Sequence, residues 1–183
     1  MNARLIHDHE DLDEVLGEIF AALDISHVKR SHAHLDLFWA RLGVHIRVEH
    51  LHLFPAILRA LMENPKSEVD DAPSLTEAQN AIEELRHDHD FFMRELSRAI
   101  SLMRELLAQA DRKSAVRKMK IVRERVVIVS ERLAAHNKLE ENQVYLWAGS
   151  LLSEAEQSRL AAQLQNELEN MPPRFAEDTK PDF

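Results

Sequence analysis

Two short stretches decide how this chain is read: His45-Ile46-Arg47-Val48-Glu49 and His136-Asn137-Lys138-Leu139-Glu140. In each, a histidine is followed four residues later by a glutamate. Residues four apart on a helix share a face, with Cβ atoms roughly 5–6 Å apart, so an imidazole and a carboxylate so spaced can reach one metal-sized point. Each pair sits in a longer stripe. The first runs Leu35, Phe38, Leu42, His45, Glu49, His52, Ala56; the second runs Val122, Val126, Val129, Leu133, His136, Glu140, Gln143, Trp147. Alternating steps of three and four mark the seam that a helix turns toward its partners. A carboxylate on such a seam is costly to bury alone. Beside histidines it calls for a proton, a cation or a metal.

Two other stripes each carry one histidine. Leu5, His9, Leu12, Leu16, Ile19 and Leu23 form the first, and Ile82, Leu85, His89, Phe92, Leu96, Ala99 and Met103 the second. His7 and His87 stand two positions from His9 and His89 and fall off these stripes. The halves repeat: His7-Asp8-His9-Glu10 returns as His87-Asp88-His89-Asp90, and Arg41 to Glu49 (RLGVHIRVE) returns as Arg132 to Glu140 (RLAAHNKLE). Two similar helical hairpins predict an all-α fold, an antiparallel up-down four-helix bundle with pseudo-twofold symmetry. At 1.5 Å per residue, His45 and His89 lie about 17 and 14 residues from the middle loop, roughly 25 and 21 Å. Counting the other turns the same way places all four histidines in one layer, with the glutamates one turn along.

Boundary signals divide the chain. Ser26 is the expected N-cap of the second helix, which runs to about residue 62, and Pro55 should kink or loosen its last turns. A loop follows over residues 63–74. Ser74 with Glu77 reads as a capping box opening the third helix, and Ser153 with Glu156 as another. A break near residues 111–114 opens the fourth helix, for which Gly149 is the expected C′ residue. The bundle is thus expected over residues 1–150, a short C-terminal helix packed on or beside it over 153–170, and a tail over 171–183.

Composition narrows the function. A chain of 183 residues with 3 glycines and few aromatic residues suits one helical domain. A net charge of -9 argues against nucleic acid. The absence of cysteine excludes disulfides, thiolate zinc sites and iron–sulfur clusters. There is no apolar run of membrane-spanning length and no signal-like N-terminal segment, so a cytoplasmic protein without membrane or nucleic-acid partners is expected. The 11 histidines are an excess that needs a cause. The bland alternative is four core histidines hydrogen-bonded to two buried glutamates. Four in one layer, one per helix, favour metal ligands instead: His9, His45, Glu49, His89, His136 and Glu140. His52 is a lesser candidate as ligand or gate, and Glu141 is expected beside the site or at the surface. His7, His27, His32, His34, His50 and His87 are expected in solvent, Phe92 and Met93 in the core or lining a pocket, and the charge run over 112–125 on a solvated face.

The arrangement resembles the hemerythrin-like, or HHE cation-binding, domain over about residues 3–150. Its most specific stretch is His45-x-x-x-Glu49 followed by Leu53-Phe54-Pro55; the second half keeps His136-x-x-x-Glu140-Glu141 but has Val144-Tyr145-Leu146 in place of Leu-Phe-Pro. The resemblance implies a non-haem di-iron centre. His9 and His45 would bind one iron, His89 and His136 the other, with Glu49, Glu140 and an oxo or hydroxo group bridging. Zinc or manganese could substitute on ligand type alone. The oxygen carriers of the family place a fifth histidine where this chain has Met93, and space their last carboxylate five from its histidine. The set here is similar to the four-histidine, two-glutamate members linked to nitric-oxide and oxidative stress, although those often carry a cysteine-bearing N-terminal segment. Of roughly six positions per iron, about one on each would stay open.

The expectation is therefore a di-iron protein that binds, senses or scavenges a small diatomic or peroxide ligand, with homodimers allowed. A di-iron peroxidase or ferroxidase is the enzymatic alternative, with Tyr145, His52 or Glu141 to deliver protons. An iron store or donor, and a metal-free helical module, complete the alternatives.

Overall fold

The structure is a computed structural model that describes residues 2–63, 72–108 and 112–170. The described residues are helical apart from short connections. In order they are α1 (Asn2–Asp24), α2 (Val28–Val48), α3 (Phe54–Glu63), α4 (Leu75–Ala108), α5 (Arg112–Leu139), α6 (Tyr145–Leu151) and α7 (Glu154–Glu169). Between α2 and α3 the chain does not break but widens into a π turn, Glu49–Leu53, and a second π turn, Glu140–Val144, joins α5 to α6. Most of the expected loop between the second and third helices, and the expected tail over 171–183, lie outside the described residues. No described helix is long and apolar enough to cross a membrane.

The helices pack into one body. α1 packs on α2 and α5, and α4 packs on α2 and α5, so each of these four meets two others. Their apolar stripes merge into two clusters. One contains Leu12, Leu16, Ile19, Leu35, Phe38, Leu42, Phe92, Leu96, Val126, Val129 and Leu133. The other contains Leu5, Val48, Leu53, Phe54, Ile57, Leu85, Val144, Tyr145, Leu160 and Leu164. Along α1 the chain passes from the second cluster, at Leu5, through His9 to the first, at Leu12. Along α2 it passes from Leu42 through His45 to Val48, in the reverse order; α4 repeats the first sense and α5, with its π turn, the second. The polar layer is thus enclosed above and below by apolar side chains.

Helix ends follow local rules, with two corrections. Ser74 and Glu77 form the expected capping box, with Glu77 N–H to Ser74 Oγ at 3.2 Å and Ser74 N–H to Glu77 Oε2 at 2.7 Å. Ser153 and Glu156 form the other. Ser26 is not an N-cap. Its φ of 55 places it in the left-handed region, where the Ser26 N–H bonds Leu23 O and the His27 N–H bonds Ala22 O. That pair of bonds is the Schellman closure of α1, and the His27 ring caps α2 by accepting from the Arg30 N–H at 3.2 Å. Gly149 does not end its helix either. α6 runs on to Leu151 and stops where Leu152 turns extended; the Gln157 side-chain amide donates to Gly149 O and Leu152 O.

The π turns correct the seams. Each puts one extra residue into a helical turn, which rotates everything after it by one position. Buried positions after Glu49 are therefore Leu53, Phe54 and Ile57, each 0% exposed, with the expected Ala56 also buried, while His52 is only half-buried and turns toward Glu167 on α7. After Glu140 they are Val144, Tyr145 and Ala148, whereas Gln143 is exposed. The ladder does widen beside Pro55, as expected, but a proline is not needed for it, because the second π turn has the same form with no proline near it. Both turns instead begin at the buried glutamate. α7 then closes the second cluster with Leu160 and Leu164, and Arg47 Nε–H donates to Glu167 Oε2 at 3.0 Å.

The rotated phase has a measurable consequence. Leu53→Ala should cost about 2–5 kcal/mol, and His52→Ala well under half of that, by urea denaturation. Similar losses at the two positions would mean that the unrotated seam is right.

Candidate metal centre

Six side chains, four from α1, α2, α4 and α5 and one from each π turn, meet between the two apolar clusters. His9, His45, His89 and His136 are 2–3% exposed, and Glu49 and Glu140 are 0% exposed. All six candidate ligands from the sequence are brought together. The rings form two pairs: His9 Nε2 lies 3.2 Å from His45 Nε2, and His89 Nε2 lies 3.0 Å from His136 Nε2. Each glutamate spans both pairs. Glu49 puts Oε1 3.6 Å from His45 Nε2 and Oε2 3.3 Å from His89 Nε2. Glu140 puts Oε2 3.3 Å from His9 Nε2 and Oε1 2.9 Å from His136 Nε2.

The outer ring nitrogens are all engaged. His45 Nδ1 is 2.8 Å from Asp8 Oδ2, and His136 Nδ1 is 3.2 Å from Asp88 Oδ2. His9 Nδ1 is 2.8 Å from Glu141 Oε1, and His89 Nδ1 is 2.9 Å from His50 Nε2. Arg41 and Arg132 anchor Asp8 and Asp88 in turn, with Arg132 Nε to Asp88 at 2.6 Å. A carboxylate accepts only, so a neutral ring that donates from Nδ1 has a bare lone pair on Nε2. Two bare Nε2 atoms about 3 Å apart repel, so the His9–His45 pair, with both outer nitrogens on carboxylates, needs either an added proton or a cation between its rings. His89, backed by the His50 ring, can instead accept at Nδ1 and donate from Nε2 to His136.

The carboxylates point the same way. Glu49 Oε2 and Glu140 Oε1 are buried and have no hydrogen bond of good geometry, although ring nitrogens lie 3.3 and 2.9 Å away. Those contacts are off the hydrogen-bond axis, as expected when nitrogen and oxygen aim at a common third point. The groups His9–His45–Glu140 and His89–His136–Glu140 each place a set of ligand atoms within 4.8 Å of one another. Nitrogen and oxygen donors of this kind suit a first-row transition metal. The residues fit a metal ion at each pair.

Three residues near the site depart from expectation or sharpen it. His50 is not solvated; it is half-buried and backs His89. Glu141 stands directly behind His9. Tyr145, carried inward by the second π turn, is 0% exposed and donates its hydroxyl to Glu49 Oε1 at 3.0 Å, with Glu140 Oε2 at 3.3 Å and His9 Nε2 at 3.1 Å. Asp8 and Asp88 were not singled out by spacing, yet their signal was present: both recur in the repeat, as do Arg41 and Arg132. His52 lies outside the layer. His32 and His34 are half-buried rather than solvated, and burial lowers the pKa of each. Met93 rests its methyl against Gly43, where a Cβ would lie 3.3 Å from it, and Phe92 stands edge-on to His136.

Protons fill the metal's place when no metal is bound. Burial alone would lower the His45 pKa, but the Glu49 charge and the Asp8 bond outweigh it and hold it well above 6.5. Burial likewise opposes, and contacts with Glu140, Glu49 and Asp88 raise, the pKa of His136. Burial raises the Glu140 pKa, yet its contacts with His136, His89 and His9 keep it well below 4.5. Burial and the two glutamate charges raise the Tyr145 phenol well above 10.0, so it stays protonated.

The sign of the linkage follows. The histidine contribution to the metal-free fold is complete below about pH 6.5 and is lost as pH rises through the raised folded values. The glutamate contribution is present above about pH 4.5 and is lost as pH falls through its depressed folded value. Urea midpoints of metal-free protein should therefore peak between these limits and decline on the alkaline side. Asp8→Asn should shrink the alkaline decline, and bound metal should abolish it by replacing the protons. A flat alkaline limb in metal-free wild type would show that the layer is not held by protonated histidines.

No family model, curated protein or solved structure matches this chain.

Proposed function

We propose that this protein is a non-haem di-iron protein of the hemerythrin-like type that binds, senses or scavenges a small oxidant such as dioxygen, peroxide or nitric oxide. The observation that carries this reading is the arrangement of Glu49 and Glu140, each with one oxygen toward each histidine pair. His9 and His45 would hold one ion, His89 and His136 the other, and the two carboxylates would bridge them. An up-down antiparallel bundle is the topology that goes with it, supported by the alternating order in which successive long helices meet the two apolar clusters.

When bound, the two ions supply redox chemistry and open coordination positions to a small ligand. The chain supplies the rest. Asp8, Asp88, Glu141 and His50 fix the ring orientations, as hydrogen-bond partners of metal-binding histidines do. The apolar clusters hold water away and favour small uncharged ligands over ions. Met93 stands one turn beyond His89, where an imidazole could reach the same ion and a thioether is a poor donor beside nitrogen and oxygen ligands. Tyr145 keeps a proton at its hydroxyl oxygen, hydrogen-bonded to Glu49 and facing Glu140 and His9.

Tyr145 is also the observation that favours a second reading, turnover as a peroxidase or ferroxidase, since a buried phenol can deliver a proton inside the layer. Sustained turnover that falls at least tenfold in Tyr145→Phe, with metal content unchanged, would select the enzyme. A single-turnover response in both proteins would select the binder or sensor.

Metal analysis, with absorption spectra before and after peroxide or nitric oxide, tests the main reading. About two iron atoms per chain are expected after anaerobic loading. Glu49→Ala and Glu140→Ala should each lose more iron than Glu141→Ala, which removes only a partner of His9. Iron at about 100 times its Kd should stabilise the fold by roughly 2.7 kcal/mol. Absence of bound iron and an unchanged melting temperature would sink the proposal.

A further inference from the structure

The two histidine pairs share one plan but differ in the residue behind one ring, and in the aromatic residue five beyond each glutamate, where Tyr145 touches His9 and Phe54 stacks on His89. In the repeat, α1 corresponds to α4 and the first π turn to the second. Asp8 behind His45 is thus matched by Asp88 behind His136, carboxylate for carboxylate. The residue after each spanning glutamate reaches across to the remaining histidine. From the second turn that residue is Glu141, behind His9; from the first it is His50, behind His89. The match is positional, at 2.8 and 2.9 Å, but the chemistry is not the same. One histidine is backed by a carboxylate and its counterpart by an imidazole.

This difference bears on metal affinity in two ways. A carboxylate accepting from Nδ1–H makes the ring a stronger donor at Nε2, and such partners change affinity by about 10–100-fold. An anion a few ångströms behind the ring also attracts the cation directly, with little screening in a buried site. The wider surroundings do not cancel the difference. Asp13 adds negative charge near His9 and Glu141, while Arg86 and Asp90 flank His50 with opposite signs.

We propose that the two metal positions are unequal, with His9–His45 the tight position that fills first and His89–His136 the weak position that fills last and empties first, His50 and Glu141 setting the difference. The inference rests on the di-metal reading above. It makes His50 and Glu141 positioning residues, which act through the rings they touch. A protein built this way holds one ion durably and exchanges the other.

Anaerobic Co(II) titration, followed by calorimetry and by the visible absorption of the bound ion, tests this at one fixed pH. Wild type should take up two ions in steps at least tenfold apart. His45→Ala should abolish the tight step and His136→Ala the weak one. His50→Glu should strengthen the weak step about tenfold or more, a gain that loss of structure cannot imitate. His50→Gln, which keeps a neutral acceptor, should leave the gap in place. Glu141→Gln should narrow the gap from the other side, and carries the test if His50→Glu does not fold. Two steps separated only by the statistical factor for equal positions, or a gap indifferent to both His50→Glu and Glu141→Gln, overturns the inequality and leaves the di-metal reading standing. Absence of Co(II) uptake by wild type defeats both.

Discussion

Two carboxylates sealed from the protein surface set the terms for the rest of this molecule. Glu49 and Glu140 are fully buried among four imidazoles, and a buried carboxylate is tolerated only where positive charge and hydrogen bonds compensate it. Every polar feature near them serves that need. The rings bring protons or a cation, and the acidic residues behind the rings set their orientation. Arg41 and Arg132 hold Asp8 and Asp88 in place. Above and below, the leucine, valine and phenylalanine layers supply the burial that holds so much polarity together. Removing one member of such a network leaves the others uncompensated, which is why its parts cannot be valued separately.

The π turns are the means by which the layer is placed in the core without disturbing the packing on either side. A regular helix continuing past Glu49 would turn His52 and Leu53 inward, three and four residues on, and Phe54 aside. The extra residue takes His52 out and brings Phe54 in, so the second apolar cluster is lined by Leu53, Phe54 and Ile57. The same correction after Glu140 takes Gln143 out and brings Tyr145 in. π turns of this kind collect at functional sites because they trade regular hydrogen bonding for a chosen side-chain direction. Here the trade is made twice, at corresponding places, and each begins on a carboxylate that spans both histidine pairs.

Much of this was readable from residues alone, and the limits have a physical origin. Helical periodicity picked His9 over His7 and His89 over His87, and burial agrees in both cases. The same periodicity assumed 3.6 residues per turn throughout, so it went wrong just beyond each glutamate, at His52 and Gln143, while Ala56 is buried and Trp147 packs half-buried on the second cluster. It therefore ranked Tyr145 only as one of three proton-delivery candidates. Capping boxes were legible because they depend on residues three apart. Ser26 was not, because a serine before a helix suits either an N-cap or the end of the preceding helix, and only the backbone angle decides. His50 and Glu141 were beyond a seam argument. They act sideways, across helices, and no spacing within one helix encodes that. The repeat did carry a trace of it, in the acid and arginine that recur with each histidine pair.

The pseudo-twofold plan has one more consequence, for what a single chain allows. A helical hairpin of this kind, paired with an identical copy, would present four histidines and two glutamates by symmetry alone. In such a homodimer every residue appears twice, so whatever stood behind one histidine would also stand behind its mate. Joining both hairpins in one polypeptide lifts that restriction. Position 50 and position 141 are free to differ only because they are separate residues, and a histidine facing a glutamate across the pseudo-axis is an option that no symmetric pair of identical chains possesses.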